Sequence, residues 1–204
     1  MVWPEFELFE VRDVDGWKKL SAQEVYADPY IQIERVKYRT PNRQEVPVPW
    51  TVAHRKCAVA VVPVLEDGRF VLISQERLPV QQILWEFPAG QIDEPLGHLS
   101  CRSIAETVVR ELREETGCEL HPETGVLEPM GWFFPSQGFT DEHVYLFRAQ
   151  PVCVVSRPES DGSEYISAVR YVSAGELRRM IADNEITNAL TLALFARMAA
   201  KGWI

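Results

Sequence analysis

The chain has 204 residues, 46% of them apolar and 25% charged, with 21 basic against 30 acidic side chains and a formal net charge of −9. These values predict a soluble globular protein with one main core and room for a small appendage. They exclude a general nucleic-acid binder, which needs a basic face. The longest apolar run, Ala58 to Leu65, is too short to cross a membrane. Met1-Val2-Trp3-Pro4-Glu5 has neither the basic start nor the apolar stretch of a secretion signal. Cys57, Cys101, Cys118 and Cys153 are widely spaced and form no Cys-x-x-Cys pair, so free thiols and a cytoplasmic location are expected.

In chain order, Glu5 to Arg12 and Tyr30 to Tyr38 alternate loosely, as antiparallel strands do. Pro41, Pro47 and Pro49 then mark Thr40 to Trp50 as a linker or an edge strand. Residues 1–50 thus read as a small β appendage that buries little alone and packs on its own core or on a second subunit. The main domain, 51–204, opens with two apolar strands, Cys57 to Val64 and Arg69 to Gln75, joined by a Glu66-Asp67-Gly68 turn. Ser103 to Thr116 reads as a helix, with Ser103 as N-cap, Gly117 as stop, and Ile104, Val108 and Leu112 as its apolar stripe. Further strands are expected at Leu127 to Phe134, His143 to Ala149 and Ala168 to Val172. Helices are expected at Ala174 to Asp183 and Thr187 to Lys201. Strands mixed irregularly with helices predict an α/β fold, a mixed sheet between helices.

The helix carries the chemistry. In Arg110-Glu111-Leu112-Arg113-Glu114-Glu115-Thr116-Gly117, Glu111 and Glu115 share one face at i, i+4, and Glu114 lies beside Glu111 at i+3. One reading is a solvated acidic face balanced by Arg110 and Arg113. The other is a hard-cation site, because carboxylate oxygens suit Mg²⁺ or Mn²⁺ and a phosphate can complete the shell. The second reading also lets an acidic protein bring positive charge to a phosphorylated substrate.

Upstream stands Trp85-Glu86-Phe87-Pro88-Ala89-Gly90, and with it the chain resembles the Nudix hydrolase family. Gly90 matches the first glycine of the family's box, and Arg110 through Cys118 match its second half. Two features depart from the box. Six extra residues fall between Gly90 and Arg110, around Glu94 to Ser100, and Arg102 stands where the family has a supporting glutamate. Glu94 and Glu106 are the candidates to stand in for it. The resemblance implies an α/β/α sandwich around a mixed sheet. It also implies a metal site built from the Ala89 carbonyl, Glu111, Glu114 and Glu115, with Arg110 in the catalytic set.

Gln75-Glu76-Arg77-Leu78-Pro79, Leu84 through Asp93, Pro135 through Glu142 and Asp183 through Ala189 look like the ADP-ribose pyrophosphatase branch. That branch implies a homodimer whose N-terminal segments are exchanged. It implies Tyr30 and Trp50 as aromatics on the nucleobase, against packing aromatics at a contact. It implies Arg55 and Arg77 toward phosphate or ribose, against surface ion pairs. Glu164, in Asp161-Gly162-Ser163-Glu164, matches a loop glutamate that serves as general base, with Glu142 as second candidate. The expected reaction is metal-dependent cleavage of ADP-ribose to AMP and ribose 5-phosphate. GDP-mannose or UDP-glucose is the alternative substrate. A non-catalytic sensing domain is disfavoured, because the box carboxylates are present and no basic helix-turn-helix follows.

Overall fold

The apolar run after Cys57 becomes the central strand of the molecule, and its alternation organises both sides of the fold. In the computed structural model, which describes residues 3–11, 16–94, 98–159 and 165–204, this strand spans Ala58–Leu65. Ala58, Ala60, Val62 and Val64 point into one core, and Cys57, Val59 and Val61 into another. Successive side chains of a strand face opposite ways, so a run apolar at every position needs a layer on each side.

Three strands precede it: β1 (Lys18–Ala27), β2 (Gln32–Thr40) and β3 (Arg43–His54), forming an antiparallel sheet in that order. The apolar run is β4. Then come β5 (Phe70–Arg77), β6 (Gln82–Glu86), β7 (Ala89–Gln91), α1 (Cys101–Thr116), β8 (Cys118–Leu120), β9 (Val126–Phe133), β10 (Val144–Val154), β11 (Ile166–Val172), α2 (Ala174–Ala182) and α3 (Ala189–Ala200). The larger sheet runs β11-β5-β4-β10-β8, with β6 on β5, β7 on β4 and β9 on β10. Its β4–β10 pair is parallel and its other pairs are antiparallel, so the sheet is mixed.

Helix α1 covers one face through Ile104, Val108 and Leu112, all fully buried against Val59, Val61, Tyr145 and Phe147. Each such side chain contributes about 1.5–3 kcal/mol by leaving water. Helices α2 and α3 cover the other face through Leu177, Met180, Leu194 and Met198. The expected α/β/α sandwich is therefore present, with a separate small antiparallel sheet at the N-terminal end.

Some local expectations change. Helix α1 begins two residues early. Its N-cap is Ser100, whose hydroxyl accepts from the Ser103 N–H, and Ser103 returns the bond as the third helical residue of a capping box. Gly117 ends the helix in the left-handed region at φ 69. Glu5 to Val11, expected as a strand, pairs in no ladder; Arg12 lies outside the described residues. Phe6 and Leu8 instead insert against the α1 core, and Phe9 packs on Trp132, Phe134 and His143. Of the two readings of Thr40 to Trp50, the edge strand holds. Pro47 and Pro49 sit on β3, an outer strand of its sheet, where a missing N–H costs least.

Candidate active site

The β7 hairpin returns along β4 and sets Ala89 and Gly90 opposite Ala60 and Val59. Helix α1 lays two carboxylates on this short strand. Glu115 Oε2 accepts the Ala89 N–H at 2.8 Å. Glu111 occupies the space in front of Gly90: a Cβ there would lie 2.1 Å from the Glu111 carboxyl carbon. This is the physical reason for a glycine at that position. Glu111 is 7% exposed and Glu115 3%, so these two do not belong to a solvated acidic face. Buried carboxylates are costly without compensating partners, which points to a task other than solubility.

Arg110 lies across the opening. One guanidinium nitrogen meets Glu111 Oε1 at 2.8 Å, and the other donates to Glu114 Oε2 at 2.9 Å. Burial opposes the Arg110 charge, yet Glu111, Glu114 and Asp93 outweigh it and hold the guanidinium pKa above its usual value. Glu114 is thus turned toward Arg110, more exposed than its two neighbours. Among the described residues, no three Asp, Glu, His or Cys side chains are gathered closely enough to hold a metal ion together. The donor set still fits a hard divalent cation. It offers carboxylate oxygens on one helix face and a glycine that leaves room for one of them. Arg102 pairs with Glu106 on the exposed side of α1, away from this site. Glu94 borders a neighbouring cleft.

That cleft, about 320 Å³ and open to solvent, is lined by Tyr30, Gln32, His54, Arg55, Asp93 and other residues between them. Tyr30 is 73% exposed at its rim. Arg55 reaches Glu142 at 3.4 Å. Burial raises the Glu142 pKa, Arg55 pulls it down in part, and Asp141 adds to the rise. Trp50, 51% exposed, does not line the cleft; its indole N–H donates to the Gly138 carbonyl at 2.8 Å. Arg77 is engaged elsewhere. It grips Glu86 with two bonds, of 3.0 and 2.6 Å, and Glu86 is fully buried. Losing that arginine would strand a buried charge at a cost of about 3–5 kcal/mol. Glu164 lies outside the described residues.

The structure therefore brings Ala89, Glu111 and Glu115 together, with Arg110 and Glu114 at the edge. Tyr30, Arg55 and Glu142 gather at the adjoining cleft. A NUDIX domain model matches residues 54–195, which takes in all of the main sheet, α1 and its carboxylates. The chain belongs to the Nudix family. Over about two thirds of its length this Nudix hydrolase is 29% identical to the ADP-ribose pyrophosphatase of Bacillus subtilis, spanning 67% of that protein. It is 31% identical to the ADP-ribose pyrophosphatase of Mycobacterium tuberculosis, spanning 61% of it. A solved structure described as an ADP compounds hydrolase superposes with a TM-score of 0.72 over 95% of this chain and all of the other, at 17% identity, which supports the fold.

Two residues of the Nudix hydrolase site escaped the sequence reading. His54 lies between Glu34 and Asp141, and Glu86 holds Arg77. Glu86 sits within the Trp85–Gly90 stretch and His54 in no motif, and only the tertiary pairing distinguishes either from an ordinary polar residue. The four cysteines are free thiols, as expected. Burial pushes the Cys57 thiol up to about 12, which removes it as a nucleophile.

Proposed function

We propose that this Nudix hydrolase cleaves the pyrophosphate of ADP-ribose to AMP and ribose 5-phosphate. A water oxygen bonds to one phosphorus, the bridging P–O bond breaks, and the water proton passes to a base. The observation that carries this reading is the burial of Glu111 and Glu115 against Ala89–Gly90, on the helix that bears the full second half of the box. Glu111, Glu114, Glu115 and the Ala89 carbonyl are the groups that would hold Mg²⁺ or Mn²⁺, which when bound offsets pyrophosphate charge and acidifies water.

The remaining roles belong to the chain. Arg110 orients Glu111 and Glu114 through its two bonds. Tyr30 and Trp50 offer aromatic faces for the nucleobase. Arg55 faces the phosphates at the cleft, and Arg77, which lies outside the cleft lining and is held by Glu86, is the second arginine for phosphate or ribose. Glu164 takes the proton from water, with Glu142 as the other candidate. The N-terminal sheet supports the reading of a homodimer with exchanged N-terminal segments. Trp17, Val25, Tyr26 and Val46 are all exposed on or beside its strands, more apolar surface than a monomer needs there. The cytoplasm is the proposed place of action, in keeping with the four free cysteines.

The test is a product assay with ADP-ribose, GDP-mannose and UDP-glucose in Mg²⁺, resolved by anion exchange. AMP and ribose 5-phosphate from ADP-ribose, abolished by EDTA, is the expected result. Faster release of GMP and mannose 1-phosphate from GDP-mannose replaces this substrate with the alternative. Undiminished turnover in EDTA overturns the metal requirement.

A further inference from the structure

The end of β3 and the segment 136–142 lie side by side and bond residue by residue. The Trp50 indole N–H donates to Gly138 O at 2.8 Å. The Ala53 N–H donates to Phe139 O at 2.8 Å, and Ala53 and Thr140 form a parallel bridge. His54 Nδ1 meets Asp141 Oδ2 at 2.5 Å, and Arg55 Nη1 meets Glu142 Oε2 at 3.4 Å. One strand thus lines up the whole segment that ends at the cleft. The segment itself supplies only a short turn: the Phe139 and Thr140 N–H groups on Ser136 O, and the Glu142 N–H on the Thr140 hydroxyl.

His54 differs from the other members of this row because it has a second anchor. Its Nε2 lies 3.1 Å from Glu34 Oε2, and the same oxygen accepts from Lys19 Nζ at 2.6 Å. Lys19 chiefly, and His54 after burial is counted against it, hold the Glu34 carboxyl below its usual range. Lys19 is on β1, Glu34 on β2 and His54 on β3, so all three strands of the N-terminal sheet converge on this ring. The Tyr38 phenol of β2 stands in the same field, its pKa raised by burial first and also by Asp141 and Glu34. The next pair along the row is Arg55 with Glu142.

Both ring nitrogens face carboxylate oxygens, so each hydrogen-bonding position of the ring is taken. The other oxygen of Asp141 is buried and has no hydrogen-bond partner among the described residues. The His54 ring is thus what holds the Asp141 carboxylate in place. The ring borders the cleft, but its two nitrogens are already engaged, so it acts through the residues it holds.

We propose that His54, clamped between Glu34 and Asp141, is a positioning residue that ties the N-terminal sheet to segment 136–142 and so sets Arg55 and Glu142 at the substrate cleft. The kinetic part of its test rests on the ADP-ribose reading; the structural part does not.

The test uses the full-length ¹⁵N-labelled protein without substrate. The indole N–H of Trp50 and the amides of Ala53 and 139–142 are followed by NMR and hydrogen exchange. His54→Gln should shift these signals together and speed amide exchange at Ala53. Glu34→Gln, which leaves His54 and the cleft intact, should loosen the same amides in part. On ADP-ribose, His54→Gln should lower kcat by up to about 10²-fold, the effect of a displaced site, and change KM less. If the amides of 139–142 stay put in His54→Gln, and Glu34→Gln changes nothing, the clamp is overturned. If the NMR signature holds but ADP-ribose is not cleaved, the substrate reading fails and the clamp stands.

Discussion

Helix α1 and the N-terminal sheet show two ways of being specified by sequence. In α1 nearly every position answers to a neighbour. Ile104, Val108 and Leu112 fill a core, Glu111 fits against Gly90, and Glu115 takes an N–H from β7. In β1 all ten residues are exposed, and most of β3 is exposed until it reaches Val52 and Ala53. The first region is complete within one chain. The second is tied down mainly at one corner, where β3 meets segment 136–142. The difference teaches that a β layer whose outer strand is solvated leaves little pattern in its sequence, whereas a helix on a buried sheet is defined by what it touches.

The largest expected effect lies in the complete region. Glu115→Gln should cut kcat by several orders of magnitude, since it removes a charge that would hold the cation while its amide oxygen can still accept the Ala89 N–H; steady-state kinetics in saturating Mg²⁺ checks this. Glu164→Gln comes next. It should lower kcat by about 10² to 10⁴-fold with little change in KM, the contribution of a positioned base. Glu142→Gln measured alongside decides between the two carboxylates: a loss there and none at Glu164 transfers the role.

Removing residues 1–50 should act on the other region. Analytical ultracentrifugation should give a monomer, and KM should rise by about tenfold or more, since each 1.4 kcal/mol of lost binding is tenfold. A dimer with unchanged KM would show that the sheet is only an ornament. Trp50→Ala should give a smaller rise in KM, because it takes one hydrogen bond and one aromatic face.

The smallest effect separates stability from function. Burial raises the Glu142 pKa in the folded protein. For a group shifted upward, the stabilising contribution is present below its unfolded value and is lost as pH rises through the folded value. Glu142→Gln should therefore raise Tm by a few degrees at neutral pH, and the gain should fade as pH drops into the carboxylate range. A thermal melt series over pH reads this; a variant less stable at neutral pH would mean that the Arg55 pair outweighs burial.

What could be read in the sequence follows the same division. Strands β4, β5, β9, β10 and β11 and helices α1, α2 and α3 carry apolar runs or periodicity, because each has one face or both in a core. Strand β1, Lys-Lys-Leu-Ser-Ala-Gln-Glu-Val-Tyr-Ala, has no buried face and so no period to detect. Strands β6, β7 and β8 are short and held by ladder bonds and turns more than by side-chain pattern. Glu111 and Glu115 were visible as a spaced pair, but their burial depends on Gly90 and Ala89, some twenty residues away. Arg77 stood out in the sequence as a candidate arginine, while its grip on Glu86 needed the β5–β6 pairing that places them nearby. His54 carried no local signal at all, since its partners come from positions 34 and 141.

The contact between Gly90 and Glu111 also constrains how such a protein can diverge. A methyl group at position 90 would occupy the space where the Glu111 carboxylate now lies, so the carboxylate would have to shift. A lineage that acquired alanine at 90 would move its own charge, and one that shortened Glu111 to aspartate would leave a gap before the glycine. The two positions are therefore expected to change together, and an engineer who wishes to move this charge has a handle in the glycine as well as in the acid.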